Sequence, residues 1–153
     1  LTAETTGLVR TAAASMPTTV RAEYEGVVGM AFGAAPTDIA TAQMLGEVDL
    51  TANFANGEIS GEFDDFNTAT GHELDGRLQV SKGIITGSGF TADIAGNLTA
   101  GSTSTPGTVP GAVSGSVSGE FLGTNAGAIE GTGTATSTGG TLGLVFIGVQ
   151  DRD

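Results

Sequence analysis

The sequence contains no Cys and no Trp, one His and one Tyr, and only 5 Lys and Arg among 153 residues. Without Cys there is no disulfide, no thiolate metal site and no Cys nucleophile. A single His, His72, leaves no His-rich zinc site, no His-paired nucleophile network and no bis-His haem ligation within one chain. The few basic residues stand against 17 Asp and Glu, for a net charge of -12. That charge repels a phosphate backbone and removes the term that dominates nucleic-acid binding, so nucleic acid is not an expected partner. Long apolar runs are missing too. The longest, Leu142 to Val149, carries Gly143 and Gly148 and falls far short of the ~20 residues of a membrane helix. No transmembrane helix is expected.

What the chain has in abundance is Gly, 26 residues of it. They follow no Gly-X-Y period, which excludes collagen. The hydrophobic share of 39% supplies apolar surface to offset chain entropy, so the chain reads as folded rather than disordered. Its length fits one domain. The acidity keeps it soluble, fits a saline habitat and suits a basic partner. The first residue is Leu1, with no Met, basic n-region or apolar h-region, which reads as a mature or trimmed chain whose targeting segment is missing.

Residues 1–19 are rich in Thr and Ala and read as a lead-in or tether, with a short helix from Leu8 to Ala14 ended by Pro17. Residues 20–153 read as one β domain. Val20, Ala22, Tyr24, Gly26, Val28, Met30 and Phe32 fall at period two and predict a long first strand. A helical turn is expected within Asp38 to Met44. Val48, Leu50, Ala52 and Phe54 then alternate with Glu47, Asp49, Thr51 and Asn53. Asn56-Gly57 predicts a hairpin, because both residues tolerate positive φ. The next strand carries Ile59, Gly61 and Phe63, and a fourth carries Leu74, Gly76, Leu78 and Val80. Ser81-Lys82-Gly83 is expected to turn into a fifth, with Phe90, Ala92, Ile94, Gly96 and Leu98. Ala100 to Gly111 reads as the longest loop.

Three further strands follow, on Val113 to Phe121, Ile129 to Ala135 and Leu142 to Val149, separated by turns at Asn125-Ala126-Gly127 and Thr138-Gly139-Gly140. The last is apolar on both faces, as if one covers the interior and the other meets the lead-in or a partner. Eight strands joined mostly by tight turns predict an all-β fold, an eight-stranded antiparallel up-and-down β-barrel, since closure removes exposed sheet edges. Gly then has a use: in a narrow barrel, Gly opposite Phe or Leu lets large rings pack over bare backbone.

GEFLGTNAGAIEGTGTATS, from Gly119 to Ser137, resembles a signature of the transferrin-binding protein B family: a Gly-Phe strand, an Asn-Ala turn and a Gly-rich strand. Pro17 followed by RAEYEGVVGMAFG resembles the family's first strand, and VDLTANFANGEISGEFDDF, from Val48 to Phe66, its internal hairpin. The resemblance covers most of Val20 to Val149. It implies an eight-stranded barrel of Gram-negative surface lipoproteins, related to factor H-binding protein barrels. It also implies an exported binding protein at the outer-membrane surface, in the periplasm or outside the cell. The implied partner is a protein or an iron or haem carrier. The family's larger members have two lobes, each with a barrel and a handle domain, whereas this chain has room for one barrel. Membrane association is expected only through a lipid anchor, whose Cys this sequence lacks.

Candidate chemistry is sparse, and neither a catalytic residue nor a cofactor is assigned. His72 lies in the polar run NTATGHE and reads as a surface turn; Tyr24, on the inward face beside Gly26, reads as a core residue whose hydroxyl finds a partner. These two are the only candidates for a haem ligand. Glu23/Glu25, Glu47/Asp49 and Glu62/Asp64 each share an outward strand face and read as solvated exterior rather than an acid–base pair in a cleft. Asp64-Asp65 and Asp151-Asp153 offer oxygen ligands without the spacing of a calcium loop, so no metal is assigned. Gly87-Ser88-Gly89 falls in a strand pattern rather than before a helix, which argues against nucleotide cradling. Ser114, Ser116 and Ser118 read as strand surface.

The expectation is therefore a non-enzymatic exported binding protein. A lipocalin-like carrier would need an open interior. An eight-stranded outer-membrane barrel would need an apolar outer band and aromatic girdles, yet aromatics are 5% of the residues.

Overall fold

Alternating apolar and polar residues put side chains on opposite faces of extended backbone, and this pattern recurs in eight segments long enough to close on themselves. The computed structural model describes residues 21–33, 36, 39–100, 109–123 and 126–150. The strands are β1 (Arg21–Phe32), β2 (Met44–Asn53), β3 (Glu58–Thr68), β4 (Leu74–Thr86), β5 (Gly89–Ala100), β6 (Gly111–Leu122), β7 (Ala128–Ser137) and β8 (Gly140–Gln150). Each pairs antiparallel with the next, and β1 pairs with β8, giving a closed up-and-down barrel. Closure satisfies every strand edge. Val20, the Leu8 to Ala14 helix and most of the Ala100 to Gly111 loop lie outside the described residues.

The inward faces carry the expected residues: Tyr24, Val28 and Met30 on β1, Val48, Leu50 and Ala52 on β2, and Leu142, Leu144 and Phe146 on β8 are buried. A 3-10 turn, Ile39–Thr41, appears within the expected segment. It lies over the outside of β1, where a Cβ on Gly29 would stand 2.8 Å from the Ala42 Cβ. Glycine sits where large side chains cross the interior. Gly131 is the cross-strand partner of Phe146, and Gly119 of Phe90. A Cβ there would come within 2.3 Å of Phe146 Cζ and 2.4 Å of Phe90 Cζ. The rings thus lie directly on glycine backbone.

Three local expectations are corrected. Ser81-Lys82-Gly83 is not a turn but the middle of β4. Pairing passes from Ser81↔Asp93 to Ile84↔Thr91, and Lys82 takes φ 56°, so the extra residue is absorbed as a bulge that bends the strand. The turn comes at Gly87-Ser88, between Thr86 and its partner Gly89, with Gly87 at φ 61°; this segment is a hairpin turn rather than strand interior. At Asn56-Gly57 the hairpin forms, but through the four residues Phe54 to Gly57, and of the expected pair only Gly57 has positive φ. Asn56 contributes by its side chain instead, its Oδ1 accepting from the Glu58 amide at 3.2 Å.

Candidate functional site

The barrel interior is occupied by protein. Tyr24, Phe63, Phe66, Phe121 and Phe146 are fully buried. Phe121 meets Tyr24, Phe54 and Phe90 at ring-centroid distances of 5.9, 5.4 and 5.4 Å. Phe146 meets Phe63 at 5.4 Å and Phe90 at 6.2 Å. Such tilted contacts favour tight ring packing, and they fill the space a lipocalin-like carrier would keep open. Chemistry available to a partner therefore lies on the outer wall and at the connections.

Tyr24 and His72 are not brought together. Tyr24 lies near the start of β1, at the end of the barrel carrying the β2–β3, β4–β5 and β6–β7 connections. Its buried hydroxyl donates to the Ala126 carbonyl at 2.5 Å. It thereby fastens the β6–β7 connection, where Ala126 holds φ 56°. His72 lies at the opposite end, in the β3–β4 connection. Its amide donates to Thr68 Oγ1 at 3.0 Å and its carbonyl accepts from the Thr68 amide at 2.8 Å. The residue is half-buried.

One side of the outer wall is strongly acidic. Glu25, Asp49 and Glu62 are direct cross-strand partners on β1, β2 and β3, and Glu47 pairs with Asp64. Opposed like charges destabilise a sheet. Arg77 on β4 donates from Nη1 to Glu62 Oε2 at 2.8 Å, an exposed pair of little net worth. A hydrogen bond shared with Asp65 pushes the Glu47 carboxyl above its ordinary pKa, and neighbouring carboxylates add to the effect. Asp49 is raised by partial burial, then by repulsion from Glu62 and Glu23. Asp64 is raised by partial burial, then by Asp65, Glu62 and Asp49.

Glu47, Asp64 and Asp65 each offer a carboxylate oxygen, all within 4.8 Å of one another, and Asp64 Oδ1 is buried without a hydrogen-bond partner. Oxygen ligands of this kind suit a hard cation, though three fall short of the 6–8 that calcium takes. Sequence reasoning had considered Asp64 and Asp65 but not Glu47. Their meeting depends on a bulge, in which pairing moves from Leu45↔Asn67 to Glu47↔Asp64 and Asp65 takes φ 52°. The bulge turns Phe66 inward against Gly46, where a Cβ would lie 2.7 Å from the ring. Asp151-Asp153 lies outside the described residues.

The other side of the wall holds a trough of about 610 Å³ lined by Ile84, Thr91, Glu120, Glu130, Val145 and Ile147, among others. Its shape follows from two neighbouring rows of outward residues. One row runs Glu120↔Glu130↔Ile147↔Val27, and the other Ile84↔Thr91↔Ser118↔Thr132↔Val145. Small hydroxyl side chains lie between larger apolar ones, and Gly119 and Gly131 also line the trough.

The sequence matches the family described as C-lobe and N-lobe beta barrels of Tf-binding protein B over residues 16–150. No curated protein matches it. Among solved structures it is similar to intact Ap-TbpB with its N and C lobes, at 25% identity and a TM-score of 0.59, over 92% of this chain and 28% of that one. It is similar to a double mutant of transferrin-binding protein B from Haemophilus parasuis Hp5, at 24% identity and 0.58, over 94% and 28%. It is also similar to the isotype 1 protein from serogroup B Neisseria meningitidis, at 17% identity and 0.64, over 94% and 28%. The chain thus spans 28% of the length of each of these proteins.

Proposed function

The chain belongs to the family of barrels that form the C-lobe and N-lobe of Tf-binding protein B, and on that premise we propose that it is an exported, non-enzymatic binding protein that presents a rigid barrel to a protein partner. The observation that carries this reading is the filled interior. With Phe63, Phe66, Phe121 and Phe146 fully buried inside the barrel, recognition falls to the outer wall and the connections, as it does in binding modules whose loops are held by a stiff scaffold. The partner class is a protein, including a protein that carries iron or haem. In this reading Tyr24 and His72 hold connections in place and ligate no haem. Export to the cell surface, the periplasm or the exterior belongs to the same proposal and is supported by the family match.

The alternatives fit less well. A carrier needs a vacant interior of several hundred cubic Å, roughly the usual ligand volume, where this barrel has packed rings. A membrane-spanning barrel needs a continuous apolar outer band. Among the described residues the large hydrophobics most exposed are only Leu45, Ile84 and Val149, and the rest of the wall is rich in Glu, Asp, Ser and Thr.

The test is affinity capture with the full chain from serum and from cell-envelope extract, followed by rebinding of each purified candidate, with transferrin and haemoglobin included as probes. Saturable one-to-one binding to a purified protein is the expected result. Absence of any saturable protein partner, together with stoichiometric uptake of a fatty acid or a fluorescent apolar dye, would overturn the reading in favour of a carrier.

A further inference from the structure

The trough on the outer wall combines two chemistries in a fixed arrangement. Glu120 and Glu130 are direct cross-strand partners on β6 and β7, and Ile147 on β8 is the next residue in the same row. The neighbouring row brings Val145, Thr132, Ser118, Thr91 and Ile84 alongside. Ile84 is 60% exposed, and Val145 and Ile147 are half-buried. The trough continues into a polar depression of about 490 Å³ lined by Lys82, Asp93, Ser116 and Thr134, among others. Negative charge therefore gathers at one end, apolar surface lies beside it, and Lys82 stands toward the other end.

We propose that this trough docks a segment of a partner polypeptide carrying Lys or Arg beside aliphatic side chains, the cation between Glu120 and Glu130 and the aliphatic groups on Val145, Ile147 and Ile84. The inference rests on the protein-binding reading above and names the surface and the chemistry of the partner. Charge decides among the possible occupants. A second copy would set a Glu120–Glu130 pair against an equally acidic surface on a chain of net charge -12, which repels. An anionic lipid surface is disfavoured for the same reason. The lead-in, residues 1–20, has one Glu and one Arg and offers no net positive charge. A cationic, partly apolar segment meets both features at once. Burial of its aliphatic groups supplies affinity, and the carboxylate pair supplies orientation and on-rate.

The test uses the isotopically labelled full chain and two synthetic peptides, one alternating Leu and Lys, the other alternating Leu and Glu. Amide shifts are followed by NMR. The expected result is saturable shifts at Thr91, Ser118, Thr132 and Ile147 with the Leu-Lys peptide and none with the Leu-Glu peptide. The double variant Glu120→Gln/Glu130→Gln should weaken that binding by at least about tenfold. The control Asp49→Asn/Glu62→Gln, on the other side of the barrel, should stay within about twofold. Shifts centred on Glu25, Asp49 and Glu62, or equal loss in both double variants, would overturn the proposal, since binding would then be unspecific attraction to negative charge.

Two rival occupants give their own signatures, and either one overturns the proposal. Deleting residues 1–20 would shift the trough amides if the lead-in lay there. Concentration-dependent sedimentation abolished by Ile147→Ser would identify a second copy. A purified partner that binds Glu120→Gln/Glu130→Gln/Ile147→Ser as tightly as the original chain would sink the trough while leaving the protein-binding reading intact. If no protein partner is found and the Leu-Lys peptide still maps to the trough, the protein-binding reading fails and the surface chemistry stands.

Discussion

Replacing Gly131 with Ala tests the packing on which the barrel depends. The added Cβ would stand 2.3 Å from Phe146 Cζ, 2.7 Å from Phe146 Cε1 and 2.5 Å from the Ser118 carbonyl oxygen. All three are well inside van der Waals contact, and Phe146 is held by Phe63 and Phe90, so the ring has little room to retreat. Overpacking of a tight core costs about 1–3 kcal/mol. The lower conformational entropy of unfolded Ala returns only about 0.4–1 kcal/mol. A net loss of about 2 kcal/mol is expected, which for a chain of this size lowers Tm by about 4–8 °C.

The decisive arm is a double-mutant cycle with Phe146→Leu, which removes Cζ and both Cε atoms. Alone, that change should cost about 1–2 kcal/mol through lost burial. In the Gly131→Ala background it should cost less, with a favourable coupling of about 1 kcal/mol, the part attributable to the Ser118 oxygen remaining. Urea and thermal unfolding followed by circular dichroism measure all four corners. Gly131→Ala within about 0.5 kcal/mol of the original, or strict additivity in the cycle, would refute the claim that the ring occupies the space of the missing Cβ.

The acidic wall should be held at the expense of stability. Asp49→Asn removes the central charge of the Glu25–Asp49–Glu62 row and should stabilise by about 0.5–1.5 kcal/mol from two opposed like-charge pairs. The gain should shrink in high salt as repulsion is screened; a loss of stability at low salt would contradict it. Glu47, Asp49 and Asp64 all have pKa values raised in the folded state. The folded protein therefore binds protons more readily than the unfolded chain at these groups. Their contribution to stability is fully present below the ordinary carboxylate pKa and is lost as pH rises through the raised values. The urea midpoint should therefore be higher in mild acid than at neutral pH, and Asp49→Asn should flatten that slope. Tyr24→Phe removes the donor to the buried Ala126 carbonyl and should cost about 1–3 kcal/mol. Amide exchange should quicken at Gly127 and Ala128, and unchanged exchange there would show that the hydroxyl does not hold this connection.

Much of the barrel is legible along the chain because strand periodicity is local. Val48, Leu50 and Ala52 point inward whatever they pair with, and the doubly apolar stretch from Leu142 to Val149 already marks β8 as a strand with business on both faces. The bulges are less visible. Ser81-Lys82-Gly83 has turn composition, but in the barrel the αL residue serves to bend a strand that continues. The Asp65 bulge likewise reverses which of its neighbours face inward, so that Phe66 enters the core while Asp64 and Asp65 meet Glu47.

The sequence by itself determined the class of fold, the inward residues, the need for glycine beneath large rings and the acidity of the exterior. These follow from side-chain size and from the alternation of a single strand. Which charges meet was decided by the tertiary structure alone. Strand register, set by closure and shifted by bulges, lines up Glu25 with Asp49 and Glu62 on one wall, and Glu120 with Glu130 and Ile147 on the other. No local signal carries that information, because the partners lie far apart in the chain and a slip of one residue would turn each of them to the opposite face.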